Sequence, residues 1–157
     1  MQKQPSSRTC FICGRENDVG LKMDFYNDHE AKQVISEIII PEHFNGYPGV
    51  AHGGIIGAIL DETSGRAILL DGNKDDLFVT TKLEVKYRKP TPTEESLIAV
   101  GWIIRRDRTR AKVAAELRRA DGTVTAQCQA TIIKPPKSYL ESCNWAEEDK
   151  YWRVYED

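Results

Sequence analysis

One stretch of this chain constrains its fold more than any other. From Gly53 to about Leu70 the side chains are apolar nearly all round a helical wheel, with Ile55, Ile56, Ala58, Ile59, Leu60, Ala67, Ile68, Leu69 and Leu70. A run of about eighteen residues is too long for a strand and suits a helix. A helix apolar on almost every side must be wrapped by other protein. Asp71-Gly72-Asn73 closes it with turn residues.

The flanking segments read as strands. Leu21 to Tyr26 and Lys32 to Ile40 precede the helix, with Asn27 to Ala31 as a hairpin loop between them. Pro41 ends the second, because a proline cannot serve the ladder. Four more segments follow the helix. Phe78 to Arg88 alternates with Val79, Thr81, Leu83, Val85 and Tyr87 on one face. Leu97 to Arg105, Arg110 to Arg119 and Thr123 to Lys134 come next, and Asp121-Gly122 between the last two is a two-residue hairpin signal. The order predicts an α+β fold: two strands, one buried helix, then an antiparallel meander of four. A single apolar helix needs a sheet to cover it, and a sheet of five to six strands curled round the helix is the economical solution.

The chain has 157 residues, which favours one domain with a full core. Its net charge of -2, with scattered basic residues, gives no reason to expect nucleic acid or an anionic membrane as partner. The apolar runs are too short for a transmembrane helix. Met1 to Thr9 is polar, lacks a leader's apolar core and reads as a frayed tail, so a cytoplasmic location is the default expectation. Residues 137 to 157 form an acidic, aromatic extension, either a short helix packed on the body or a segment facing a partner. Cys10, Cys13, Cys128 and Cys143 are expected as reduced thiols, since a chain with this core needs no staples. Cys10-x-x-Cys13 is half of a zinc knuckle, but neither Cys128 nor Cys143 forms a second such pair, so no metal is expected.

The chemistry concentrates between Phe44 and Ile68. His52-Gly53-Gly54 stands where the helix begins, and the first N–H groups of a helix lack internal partners and carry partial positive charge. Without side chains at Gly53 and Gly54 an incoming oxygen can reach them, which is the geometry of an oxyanion hole; two glycines that merely turn the chain would look the same. Asp61 lies mid-helix, flanked four residues away on either side by Gly57 and Gly65, whereas Glu62 has Arg66 at that spacing. A buried carboxylate without a local partner is a candidate site residue. Gly57 and Gly65 weaken a helix by roughly 1 kcal/mol each, which calls for compensation such as close approach of another backbone or a ligand.

Asp61 lies about 12 Å along the axis from Gly53, too far for both to meet one carbonyl. Two antiparallel helices from two chains bring Gly53 of one to Asp61 of the other, so the motif argues for a two-fold dimer with shared sites. Donors for an oxyanion plus a carboxylate, with neither a metal cluster nor a serine elbow, suit a thioester. Its leaving thiol departs with little acid help. The carboxylate would act as general base or as nucleophile.

The pattern G-x-x-HGG-x6-D-E from Gly49 to Glu62, the strand VTTKLEVKYRKPTP from Val79 to Pro92 and the opening CFICGRENDVGLKMDF from Cys10 to Phe25 resemble the hot-dog thioesterase superfamily, in its phenylacetate-degradation and acyl-CoA-thioesterase branch. The resemblance spans about Cys10 to Lys134 and implies a hot-dog domain over residues 10–136 that hydrolyses acyl-CoA without a cofactor, as a homodimer or a dimer of dimers. It implies that the residue matching Asp61 activates water or attacks the thioester, that the Gly53 N–H holds the carbonyl oxygen with Gly54 beside it, that His52 supports the site and that Thr80 positions water or carboxylate. A one-residue slip would put Thr81 in that role. Asn45 is the nearest match to a substrate-positioning asparagine but sits one residue further from the histidine than usual. Arg88 and Lys89 either meet CoA phosphates or form a solvated strand end. The competing functions are a hot-dog dehydratase and a non-catalytic acyl-CoA-binding module.

Overall fold

The computed structural model describes all of residues 1–157. A seven-stranded antiparallel sheet carries one long helix in its concave face. The strands are β1 (Gln2–Lys3), β2 (Tyr26–Asp28), β3 (Gln33–Ile39), β4 (Val79–Tyr87), β5 (Ser96–Arg106), β6 (Arg110–Arg119) and β7 (Val124–Ile133), in the order β1-β2-β3-β5-β6-β7-β4. Helix α1 spans Gly53–Gly65 and continues as a 3-10 turn over Arg66–Asp71, so the long helix expected to Leu70 tightens at Arg66. Gly72, at φ +84°, stops it in the left-handed region that glycine enters without steric cost.

Burial follows the sequence pattern. Ile56, Ile59, Leu60, Ala67 and Ile68 are buried against Val113, Ala115, Leu117, Ala126, Ala130 and Ile132 of the sheet. The helix lies close against the sheet at Gly101 of β5, where an added Cβ would stand 2.4 Å from the Thr63 carbonyl oxygen. Neither the central strand nor the helix backbone can yield there, so Gly101→Ala is expected to destabilise the fold by about 1–3 kcal/mol. An equilibrium urea titration reads this directly, and an unchanged midpoint would show that the contact is slack.

Three expectations need correcting. The four strands after the helix are not one meander: β4 pairs with β7 and lies at the sheet edge, while β3 takes the place beside β5. The alternation of a strand fixes which face it buries but not which neighbour it joins, and α1 carries the chain across the sheet before β4 begins. The strand expected at Leu21 to Tyr26 shortens to Tyr26–Asp28, and the N–H groups of Leu21 and Met23 donate instead to the carbonyls of Phe11 and Ile12. The N-terminal segment is not frayed. β1 pairs with β2, Ser6 bridges Arg153, and Gln4 and Ser6 are buried.

The C-terminal extension packs on the body. It forms α2 (Lys137–Ser142) and α3 (Trp145–Glu148), after which Trp152 is buried and donates from Nε1 to the Lys74 carbonyl at 2.6 Å. No helix is long and apolar enough to cross a membrane.

Candidate active site

The loop before α1 places its first turn. Asn45 and Ala51 form an isolated bridge, and the His52 N–H donates to the Phe44 carbonyl at 2.9 Å. His52 thereby reaches the helix in an extended conformation (φ −61°, ψ 137°) and acts as its N-cap, its Nδ1 accepting the Gly54 N–H at 2.9 Å. An Nδ1 that accepts leaves the imidazole proton on Nε2. Of the two donors expected at the helix tip, Gly54 is therefore committed to His52, while the Gly53 N–H meets no acceptor within the chain. Asn45 lies in the same loop with Oδ1 buried and without a hydrogen-bond partner.

Asp61 is half-buried on the side of α1 that faces β4, and its Oδ1 accepts a 2.7 Å hydrogen bond from Thr80 Oγ1. A bulge in β4 creates this contact. Thr80 pairs with Ile132 and Lys82 with Thr131, leaving Thr81 as the extra residue, which donates from Oγ1 to the Thr131 carbonyl. Beyond the bulge Leu83, Val85 and Tyr87 oppose the buried Ala130, Cys128 and Ala126, as strict alternation requires. Before it the parity switches, so Thr80 rather than Thr81 turns to the helix. Burial pushes the Asp61 carboxyl above its ordinary value; the Thr80 hydrogen bond opposes that rise and the charge of Glu62 adds to it. Thr80→Val keeps the shape and removes the donor. It is expected to move the Asp61 carboxyl further above its ordinary value, because the one contact that opposes the rise is gone, and an NMR titration of that carboxyl would check this.

Tyr87, at the other end of β4, is legible in the sequence only as one of the side chains that share a face of the strand. Its hydroxyl donates to the Gly53 carbonyl at 2.7 Å, and a Cβ on Gly53 would lie 3.4 Å from that oxygen. The tyrosine thus holds the Gly53–Gly54 peptide, which adjoins the peptide that bears the free Gly53 N–H. Arg88 and Lys89 follow directly. Both are exposed, both backbone N–H groups donate to the Thr125 carbonyl, and neither side chain is in an ion pair. The strand thus touches α1 twice, at Asp61 through Thr80 and at Gly53 through Tyr87. Beside Asp61 lies an open cavity of about 190 Å³ whose lining mixes apolar side chains such as Leu77, Phe78 and Trp152 with the charged Glu62, Arg66 and Asp76. The ion pair expected between Glu62 and Arg66 is present, with Arg66 Nε 2.9 Å from Glu62 Oε1.

With the helix, the bulged strand and the capped glycine turn in place, the thioesterase superfamily model matches residues 48–126, and the chain belongs to that superfamily. Among curated relatives, acyl-coenzyme A thioesterase THEM4 of Rattus norvegicus is 24% identical over 134 residues, covering 85% of this chain and 56% of its own length. The chain thus spans little more than half of the curated relatives it matches. The crystal structure of a thioesterase superfamily protein superposes with a TM-score of 0.73 at 25% identity, covering 80% of this chain and 63% of the other. A hypothetical thioesterase from Streptococcus pneumoniae TIGR4, crystallised with coenzyme A, shares the fold at a TM-score of 0.60 and 20% identity, over 66% of this chain and 78% of the other.

Proposed function

We propose that this protein hydrolyses acyl-CoA thioesters as a homodimer, with each site built from the Gly53 N–H of one subunit and Asp61 of the other. The observation that carries the reading is Asp61 itself: a half-buried carboxylate in mid-helix without an ion-pair partner, held at one oxygen by Thr80 and free at the other. In this reading Asp61 takes a proton from water, the resulting hydroxide adds to the thioester carbonyl, and the Gly53 N–H holds the oxyanion. Collapse expels the CoA thiolate, which needs little acid assistance, and leaves the free acid. His52 fixes the helix tip and leaves Gly53 as the donor. Arg88 and Lys89, beside the same tip, are the cations available to CoA phosphates.

Two features support the shared site. A Cβ on Gly57 would meet only the Tyr87 hydroxyl at 3.8 Å, and one on Gly65 would meet nothing within 4 Å. Nothing within the chain therefore requires these helix-weakening glycines, and close approach by a second backbone accounts for them. The outer edge of β4 is also unpaired, a ready template for a second copy.

The test is thiol release from a panel of short, medium, long-chain and aryl acyl-CoAs. Turnover of any member of the panel supports the reading. Saturable binding of acyl-CoA without release of thiol would make the protein a binding module instead. Transfer of solvent oxygen-18 into the Asp61 side chain in a single turnover would reassign that residue from base to nucleophile.

A further inference from the structure

The proposed hydrolysis assigns no role to one cluster of ligating side chains. The loop Cys10-Phe11-Ile12-Cys13-Gly14 packs on α1, and the sulfurs of Cys10 and Cys13 and a carboxylate oxygen of Glu62 all lie within 4.8 Å of one another. Cys13 is 1% exposed, and Cys10 is half-buried.

The backbone around the pair is specialised. The Gly14 N–H donates to the Cys10 carbonyl at 2.7 Å, closing the turn that brings the sulfurs together. A Cβ on Gly14 would stand 2.4 Å from that same oxygen, so the turn admits only glycine. The Ile12 N–H points at Cys10 Sγ at 3.3 Å, a contact that favours sulfur carrying negative charge. Phe11 and Ile12 are held in turn by the N–H groups of Leu21 and Met23.

We infer that Cys10, Cys13 and Glu62 form a binding site for a borderline-soft divalent cation, with zinc as the ion whose chemistry fits best. Two thiolates and one carboxylate are a donor set suited to zinc and unsuited to magnesium or calcium, which take oxygen. The two thiols lose two protons as the ion enters, so the dication and two thiolates are neutral together. Glu62 and Arg66 are already neutral as a pair. Arg66 occupies Glu62 Oε1 through Nε at 2.9 Å and leaves Oε2 available, an outer partner that orients a ligating carboxylate. Ser7 Oγ, 3.5 Å from Cys13 Sγ, is a further polar group beside the three ligands. The bound ion would pin the loop that follows the N-terminal segment to the helix turn bearing Asp61.

The test uses the full chain, purified without chelator from zinc-supplemented cells. Elemental analysis is expected to find about one zinc per chain, and the Cys10→Ser/Cys13→Ser double variant to retain almost none. Cobalt(II) added to the chelator-stripped wild type is expected to give near-ultraviolet thiolate-to-cobalt bands. Glu62→Gln should keep those bands while weakening binding at least the roughly tenfold that loss of even an outer partner costs. The cobalt spectrum of the wild type needs no variant, so it decides the matter if the double variant fails to fold. Absence of both zinc and cobalt bands, unchanged zinc in a folded double variant, or a Cys10–Cys13 disulfide in the metal-free purified protein would each overturn the inference.

Discussion

Asp61→Asn is expected to lower kcat for acyl-CoA hydrolysis by at least about 100-fold, the loss that follows removal of a general base. The substitution isolates proton transfer. An asparagine has the same shape, and its Oδ1 still accepts from Thr80, so the bulge and the helix keep their contact. Only the ability to take a proton is lost. The fold should not suffer. Because burial raises the folded carboxyl above its unfolded value, ionisation of Asp61 opposes folding once pH exceeds that unfolded value. The neutral amide is therefore expected to be at least as stable as wild type at neutral pH. Matched kinetics and urea titrations check both halves. A rate within about threefold of wild type would remove Asp61 from the chemistry.

The largest effect on stability is expected at Arg66. Its side chain is 4% exposed and ties three parts of the chain together. Nε holds Glu62, and Nη1 donates to the Pro5 carbonyl at 2.7 Å and to Gln4 Oε1 at 3.2 Å. The guanidinium lies between the rings of Phe25, at 4.4 Å, and Trp152, at 5.2 Å. Gln4 in turn donates to Asn27 and to the Arg66 carbonyl. Arg66→Ala leaves Glu62 without its counter-ion, the Pro5 carbonyl and Gln4 without a donor, and the two rings without a filler. Removing one partner of a buried pair costs about 3–5 kcal/mol, and the partial exposure of Glu62 places the expected loss near 3 kcal/mol. For a chain of this length that lowers the midpoint of thermal unfolding by roughly 6–12 °C. The N-terminal segment should also become open to proteolysis. A shift below about 2 °C would mean that the network is incidental to stability.

Parts of this architecture are legible in the amino-acid sequence. The continuous apolar run announces a wrapped helix because a surface helix would show a polar face. The alternation in β5, β6 and β7 marks their buried sides because the side-chain period of a strand is two. Asp61 stands out because glycine occupies both positions where a local partner would sit. The position of β4 is not legible, since pairing across a sheet is set by how α1 carries the chain rather than by the residues of β4. The choice of Thr80 over Thr81 rests on a single extra residue, and nothing in VTTKLEV marks where a ladder slips. Arg66 reads as an ordinary helix-surface partner of Glu62, because its other contacts come from a polar N-terminus and a tail more than eighty residues away. A buried polar network joined through distant segments leaves no local pattern.

The proposal of a site shared between two subunits is tested most directly by mixing two inactive variants. Asp61→Asn lacks the carboxylate. Gly53→Pro removes the one N–H that an oxyanion needs, at the first helical position where proline is tolerated, after a His52 already in the extended conformation that precedes proline. Co-refolding equal amounts should give hetero-dimers in which one site carries both lesions and the other carries neither. Activity should then rise from near zero to about a quarter of wild type, the share expected for a two-fold assembly with random pairing. If the mixture stays as inactive as its parents while hetero-dimers are present, Asp61 and Gly53 do not meet across an interface.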